Sequence, residues 1–357
     1  MKIKLTILKY LSYIWDYIHR MRRIAYNNGF LKSSRVLTPI ISVGNLSFGG
    51  TGKTPFVIWL TEYFNSLDKK IMILTRGYKG SLEKKGGAIV VDNKVDKKIN
   101  FSTKEKYNPS LFGDEPILLA NKINKGCVLV GADRVNNLKK FFDTIDPDII
   151  LLDDGFQHLK LQRDLDIVLI DASMPLSLYH PFPYGKLREN INVLKNADVV
   201  VINKTEQIDS KTLSSLNDKL KTFTKSDAIF AHIKYKITGF YNSFNHRIYL
   251  ANELEGKKVV AMAGLAAPDS FFNSLTELGA SIVDKIVLPD HFQYNKKYLD
   301  ETLLKLLNSD RILVTTEKDM VKIREIVVND SLLFAAIKIE FVRGEEQLKS
   351  LIKKIMN

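Results

Sequence analysis

One cysteine, Cys127, in 357 residues excludes an internal disulfide framework and any zinc site built on cysteines. It lies in the apolar run Cys127-Val128-Leu129-Val130, where a thiol reads as core. No stretch of about 18 uncharged apolar residues occurs, so no membrane-spanning helix is expected. Internal repeats and low-complexity tracts are missing too. Acids are the minority charge: 40 Asp and Glu against 53 Lys and Arg leave a formal charge of +13. That balance favours anionic partners such as acidic lipid or a phosphorylated substrate. The basic residues form no aromatic-interleaved stripe and no nucleic-acid motif, so no nucleic-acid partner is expected. Lys84-Lys85, Lys97-Lys98 and Lys353-Lys354 read as solvated faces.

What is present begins with a phosphate-binding signature. Pro39-Ile40-Ile41-Ser42-Val43 reads as a buried strand, and Pro55-Phe56-Val57-Ile58-Trp59-Leu60 as the opening of a helix. Between them lies Ser47-Phe48-Gly49-Gly50-Thr51-Gly52-Lys53-Thr54. Strand, glycine-rich turn, Lys-Thr and helix is the context of a phosphate-binding loop. Glycines let successive N–H groups turn toward one point, and the helix N-terminus adds partial positive charge there. Lys53 is placed to reach the β- and γ-phosphates, and the Thr54 hydroxyl to ligate Mg²⁺. The first position of the strict pattern is Ser47 rather than glycine.

A second acidic element supports that reading. Ile149-Ile150-Leu151-Leu152 runs into Asp153-Asp154. Strand carboxyl ends in open α/β sheets meet at the ligand crevice, so these carboxylates are candidate Mg²⁺ ligands beside Thr54. Gly155-Phe156-Gln157-His158 follows, with Gln157 and His158 either facing the reaction centre or stabilising the turn. Asp114, in Gly113-Asp114-Glu115-Pro116, reads either as a helix N-cap or as a general base for phosphoryl transfer. Arg188, in Gly185-Lys186-Leu187-Arg188-Glu189, is a candidate phosphate contact or half of a surface pair with Glu189. His291, in Pro289-Asp290-His291, either projects into a cleft or is an inert turn histidine. Asn203-Lys204-Thr205-Glu206 is similar to the guanine-reading NKxD motif but carries Glu for Asp. Thr316-Glu317-Lys318-Asp319 reads as a helix capping box.

The expected architecture is α/β: a P-loop domain of parallel sheet with helices on both faces, plus a smaller second α/β domain. Expected strands are 40–43, 71–75, 127–130, 149–153, 167–171 and 199–203, with helices at 55–64, 116–123 and 134–142 between them. Expected divisions are an N-terminal helix at 1–30, a P-loop domain at 31–227, linker strands at 228–251 and a cleft-closing domain at 252–357. In the last, strands at 259–263, 282–287, 312–315 and 332–339 alternate with helices at 269–278, 296–307, 317–326 and 345–355. The N-terminal segment repeats Leu5, Leu8, Leu11, Ile14, Trp15, Ile18 and Met21 at helical spacing. It carries Lys2, Lys4, Lys9, Arg20, Arg22 and Arg23 against one acid, Asp16. Charges interrupt its apolar region and no small-residue cleavage site follows, unlike a secretory leader. Its chemistry suits the headgroup boundary of an anionic membrane or packing on the protein's own core.

Taken in order, these motifs resemble the tetraacyldisaccharide 4'-kinases of lipid A biosynthesis. The resemblance rests on 43–55, on Thr75-Arg76-Gly77-Tyr78, on 113–116 and 153–158, and on Leu187-Arg188-Glu189 and 316–319. It implies ATP-dependent phosphorylation of the 4'-hydroxyl of a tetraacylated glucosamine disaccharide 1-phosphate. The implied place is the cytoplasmic face of the bacterial inner membrane, and a monomer is expected. It implies Asp114 as base assisted by His291, with Lys53 also catalytic. Ser47 to Thr54 would hold ATP, and Thr54, Asp153 and Asp154 the Mg²⁺. Glu115, Gln157, His158, Arg188 and Glu189 would meet the substrate. The competing class is a P-loop ATPase or GTPase of the partitioning or metallochaperone type. Phe48, where partitioning ATPases carry lysine, and Glu206 weigh against it.

Overall fold

The computed structural model describes residues 2–91, 108–304, 310–327 and 332–356. Lys97-Lys98 and the end of the helix expected at 296–307 lie outside them. Helix α1 (Lys2–Asn27) leads into β1 (Ile40–Asn45), α2 (Lys53–Ser66) and β2 (Ile71–Thr75). Next come the short α3 (Leu82–Lys85), β3 (Gly87–Val90), α4 (Pro109–Phe112), α5 (Asp114–Ala120) and β4 (Gly126–Val130). The first half continues through α6 (Arg134–Ile145), β5 (Ile149–Asp153), β6 (Leu165–Asp171), β7 (Val199–Asn203) and α7 (Ser210–Lys221). Two strands, β8 (Ile229–Asn242) and β9 (Arg247–Leu250), then form a hairpin. The second half runs β10 (Lys258–Ala263), α8 (Asp269–Glu277), β11 (Ser281–Val287), α9 (Lys296–Leu304), β12 (Arg311–Thr316), α10 (Glu317–Ile323), β13 (Leu332–Arg343) and α11 (Glu345–Met356).

These strands form one 13-stranded sheet, ordered β11-β10-β12-β13-β8-β7-β6-β1-β5-β2-β4-β3, with β9 on β8. Neighbours from β8 to β4 are parallel, and so are those from β11 to β13. The two blocks meet antiparallel at β13 and β8. Residues 228–251, expected as linker strands, are β8 and β9 within that sheet. Edge strand β3 has no counterpart among the expected strands. Its Gly-Ala-Ile-Val is too short to carry a period.

Parallel strands buried on both faces need apolar residues at most positions, and the central strands have them. Ile41, Val43, Ile71, Ile73, Ile149 and Leu151 pack with Phe56, Leu60 and Phe64 of α2. The alternate residues Ile40, Met72, Leu74, Ile150 and Leu152 pack with Leu138 and Phe141 of α6. The second half repeats the scheme. Val259, Ala261 and Val314 face Phe272 of α8, while Val260, Met262 and Leu313 face Met320 and Ile323 of α10. Cys127 is buried, as its apolar setting implies.

The two blocks attach at opposite ends of a long ribbon. Only Ile229–His232 of β8 pair with β7. The strand runs on, and Gly239–Asn242 pair with Leu333–Ala336 of β13. Nearly the same stretch of β13, Leu332–Ala335, carries β12. The second block therefore sits beyond the carboxyl edge of the first. Because it is antiparallel to the first, its own carboxyl edge points back. The loops after β1, β5 and β7 thus face those after β10 and β12. Helix α10, which follows β12, packs on α5.

Candidate active site

The first carboxyl edge gathers the phosphate-loop residues. Pairing sets Val43 opposite Asp153, Asn45 opposite Leu169 and Asp171 opposite Asn203. Gly44 lets the edge close: a Cβ there would come within 2.5 Å of the Phe156 Cβ. The loop turns at Gly49 (φ 106°) and Gly52 (φ 69°), a left-handed region that favours glycine. A Cβ on Gly49 or Gly50 would meet nothing within 4 Å, so the loop is open on that side. Gly52 is closed: a Cβ would strike the Tyr235 hydroxyl at 1.7 Å. Asn203 Nδ2 donates to the Thr51 carbonyl and to Tyr235. Asn45 Nδ2 donates to the Ser47 carbonyl at 2.9 Å and the Thr51 hydroxyl at 2.6 Å. Ser47 and Phe48 are bound to the 186–187 segment, with Phe48 N donating to the Lys186 carbonyl at 2.8 Å.

Lys53 opens α2. Its ammonium lies 3.2 Å from Asn45 Oδ1 and 3.3 Å from Asp154 Oδ1. Arg188 Nη1 donates to both Asp154 oxygens at 2.8 and 2.9 Å. Burial pushes the Asp154 carboxyl up, but Lys53 and Arg188 outweigh it and hold it at about 2. Asp153 is different. Thr75 donates to Oδ2 at 2.9 Å, while the buried Oδ1 has no partner. Burial, with Glu115 and Asp154 adding negative charge, pushes this carboxyl up to about 6. A buried carboxylate oxygen with a free lone pair is the hard donor chemistry that Mg²⁺ takes. Among the described residues no cluster of three or more His, Cys, Asp or Glu forms a protein-only metal cage. That is normal for Mg²⁺, which usually takes one or two carboxylates.

The second edge brings its own groups across. The Pro289-Asp290-His291 turn follows β11, with His291 in the left-handed region at φ 60°. Its Nδ1 lies 3.1 and 3.0 Å from the two Asp114 oxygens, joining residues 177 apart in sequence. The Tyr78 ring stands edge-on to His291 at 5.4 Å. Lys322 Nζ lies 3.4 Å from Asp114 Oδ2. Burial alone would raise the Asp114 carboxyl. The His291 hydrogen bond and the Lys318 and Lys322 charges reverse that and hold it well below the usual carboxylate range. Glu115, beside it, pairs with Lys318 at 3.2 Å. Asp114 is the first residue of α5 rather than its N-cap, which is Gly113, and its Oδ1 also accepts from Glu115 N at 2.9 Å.

Gln157, Arg188 and Glu189 are held by helix α1. Glu189 is almost wholly buried, and both of its oxygens are held by Arg23. Arg23 also stacks 4.9 Å from the Phe156 ring and donates to the Phe156 carbonyl at 3.2 Å. Arg22 donates to the Gln157 carbonyl, Ser12 to the Pro181 carbonyl and Trp15 to the Arg188 carbonyl. Gln157 Nε2 donates to the Asn45 carbonyl, leaving Oε1 without a partner. An aromatic chain continues from Trp15 to Phe182 and from Phe182 to Phe48, each step 5.5 Å.

Several participants are not visible as motifs. Arg134 is buried against the Asp154 carbonyl at 3.4 Å. Its only local signal is its place just after a strand end. Lys318 sits in a run read as a capping box. The cap is real, since Thr316 Oγ1 accepts from Asp319 N, yet the lysine between them reaches the site. Arg23 looked like one more basic residue on an amphipathic helix.

A family model described as tetraacyldisaccharide-1-P 4'-kinase matches residues 4–357. The chain belongs to that family. The tetraacyldisaccharide 4'-kinase of Geobacter metallireducens is 32% identical over 360 residues, covering 99% of each chain. That of Desulfatibacillum aliphaticivorans is 32% identical over 322 residues, 89% of this chain and 83% of the relative. A crystal structure of the Aquifex aeolicus LpxK in complex with ATP superposes with a TM-score of 0.75 at 28% identity, covering 99% of each chain.

Two histidines tie stability to pH. Burial, with Arg134 and Arg163, lowers His158 to about 3, and burial with Arg343 lowers His232 to about 4. Unfolded histidine titrates near about 6.5. Below that pH the unfolded chain binds protons that the folded chain refuses, so stability falls from about 6.5 toward acid. His158→Gln is expected to flatten this slope by up to about 1.4 kcal/mol per pH unit in urea unfolding. An unchanged slope contradicts the burial assigned to His158.

Proposed function

We propose that this chain transfers the γ-phosphoryl group of ATP to the 4'-hydroxyl of a tetraacylated glucosamine disaccharide 1-phosphate. Family membership carries the reaction, and the Asp114–His291 contact across the two halves carries the mechanism. The P-loop amides and Lys53 receive the β- and γ-phosphates, with Ser47 to Thr54 forming the cradle. Thr54 and Asp153 are the donors that would hold Mg²⁺, with Asp154 beside them locked to Lys53 and Arg188. A bound Mg²⁺ would supply charge neutralisation on the phosphates.

In the reaction the bond from γ-phosphorus to the bridging oxygen of ADP breaks and a bond to the 4'-oxygen forms. The hydroxyl proton passes to Asp114. A carboxylate held at low basicity suits this step, because the hydroxyl becomes strongly acidic only as the new P–O bond forms. Arg188, Gln157 and His158 border the acceptor side, and Glu115 lies next to the base. Residues 31–227 and 252–357 are read as two domains on the β8–β13 ribbon. Their closure excludes water and favours the sugar over hydrolysis. We read the protein as a monomer.

Asp114→Asn is expected to lower kcat by about 10²- to 10⁴-fold, with the ATP KM little changed. The readout is label from γ-labelled ATP on the lipid acceptor. A loss confined to the KM for ATP contradicts the base role.

An acylated acceptor lies in a bilayer, and α1 supports an approach to it. One face docks on the site loops through Ser12, Trp15, Arg22 and Arg23. An adjoining face leaves Ile7 (54%), Leu11 (47%), Ile14 (57%) and Ile18 (59%) open to solvent. That stripe, on a helix that also exposes the cations Lys9 and Arg20, fits the boundary of an anionic membrane. The surface implied is the cytoplasmic face of the bacterial inner membrane. Among the described residues no helix is long and apolar enough to cross it. Changing Ile7, Leu11, Ile14 and Ile18 together to Ser is expected to abolish flotation with anionic vesicles while the melting temperature holds. Undiminished flotation contradicts the membrane reading.

A further inference from the structure

Lys318 is spent on three acceptors. Its Nζ lies 3.1 Å from Asp290 Oδ1, 3.2 Å from Glu115 Oε1 and 3.4 Å from His291 Nε2. Only 15% of the side chain is exposed, so water competes little for those donors. An ammonium has donors and no acceptor. A ring nitrogen facing it must offer a lone pair. His291 Nε2 is then bare, and the ring proton sits on Nδ1, the atom turned to Asp114.

We propose that Lys318 is a positioning residue that fixes His291 as its Nδ1–H tautomer, so that Asp114 stays an ionised, oriented proton acceptor. The proposal rests on Asp114 as the base. In the opposite tautomer a ring lone pair would face the carboxylate, and the pair would part or trap a proton between them. A doubly protonated ring would aim an N–H at the ammonium, like charge against like charge. Other groups around the imidazole do not replace Lys318. Tyr78 offers its ring edge, Lys79 reaches the Asp290 carbonyl and the Tyr78 ring, Asp290 Oδ1 lies 3.7 Å from Nε2, and Lys322 stands behind Asp114. Lys318 also joins Glu115 on α5 to Asp290 from the other half, so it holds base and histidine in one register.

The first test reads the unsubstituted protein. In ¹⁵N-histidine-labelled resting protein, long-range ¹H–¹⁵N correlation should show His291 with a pyridine-type Nε2 and a pyrrole-type Nδ1. His291→Gln assigns the signals. An Nε2–H tautomer overturns the proposal. Lys318→Met should lose that tautomer and lower kcat about tenfold or more, with the ATP KM within about twofold. It should also move the acid limb of the kcat profile up by about one pH unit. Lys318→Arg, which keeps a cation with several donors, should restore most of kcat and the profile. Unchanged kcat in Lys318→Met overturns the proposal, as does a fall with tautomer and acid limb unmoved. Failure of Asp114 as base would appear separately, as full kcat in Asp114→Asn with the His291 tautomer intact.

Discussion

The antiparallel pairing of β8 and β13 is the constraint on which the site depends. Each parallel block has its loops at its own carboxyl edge, as α/β sheets do. Joined side by side and parallel, the blocks would have presented both edges in one direction. Reversed and displaced along a ribbon of 14 and 12 residues, the two edges confront each other. The phosphate loop and Asp153-Asp154 come from one side, and His291, Lys318 and Lys322 from the other. Asp114 is the meeting point, where its carboxylate meets the His291 imidazole and the Lys322 ammonium of the opposite half.

A second support runs from the surface inward. Helix α1 is amphipathic in an unusual sense, since its polar residues do the docking and its apolar stripe is left outside. Arg23 ties Glu189 and Phe156, Trp15 ties the Arg188 carbonyl, and Phe182 bridges Trp15 to Phe48 of the phosphate loop. The segments carrying Gln157 and Arg188 are therefore stitched to the helix that faces the bilayer in the proposed function. Buried pairs such as Arg23–Glu189 add little net stability against an apolar pair of the same shape, but breaking one side is costly. Their use here is to hold loops in one place.

The legible parts were those whose cause is local. The phosphate loop, the strand ending in Asp153-Asp154 and the Ile/Leu/Val strands follow from spacing and composition within about ten residues of chain. The parallel sheet with two covered faces was readable because its strands are apolar at consecutive positions. The parts that escaped depend on long-range geometry. Arg23–Glu189 spans 166 residues and Lys318–Glu115 spans 203. Nothing in a basic helix marks one arginine as buried, and nothing in Thr-Glu-Lys-Asp distinguishes a lysine that caps nothing from one that reaches a histidine. The stretch at 228–251 reads as linker strands or a hairpin because its polar, interrupted texture lacks the buried-strand signature, and β8 and β9 do pair as a hairpin. That texture belongs to strands lying between two blocks, partly open to solvent along the ribbon.

Whether the two edges work as one proton-handling unit is most directly measured by a double-mutant cycle on kcat, using Asp114→Asn, His291→Gln and both together at saturating ATP and acceptor. Residues that act as a unit lose little more together than the worse one loses alone. That non-additivity is the result expected here. Losses that multiply would mean that the carboxylate and the imidazole act independently, and that the convergence of the two halves has no part in proton transfer.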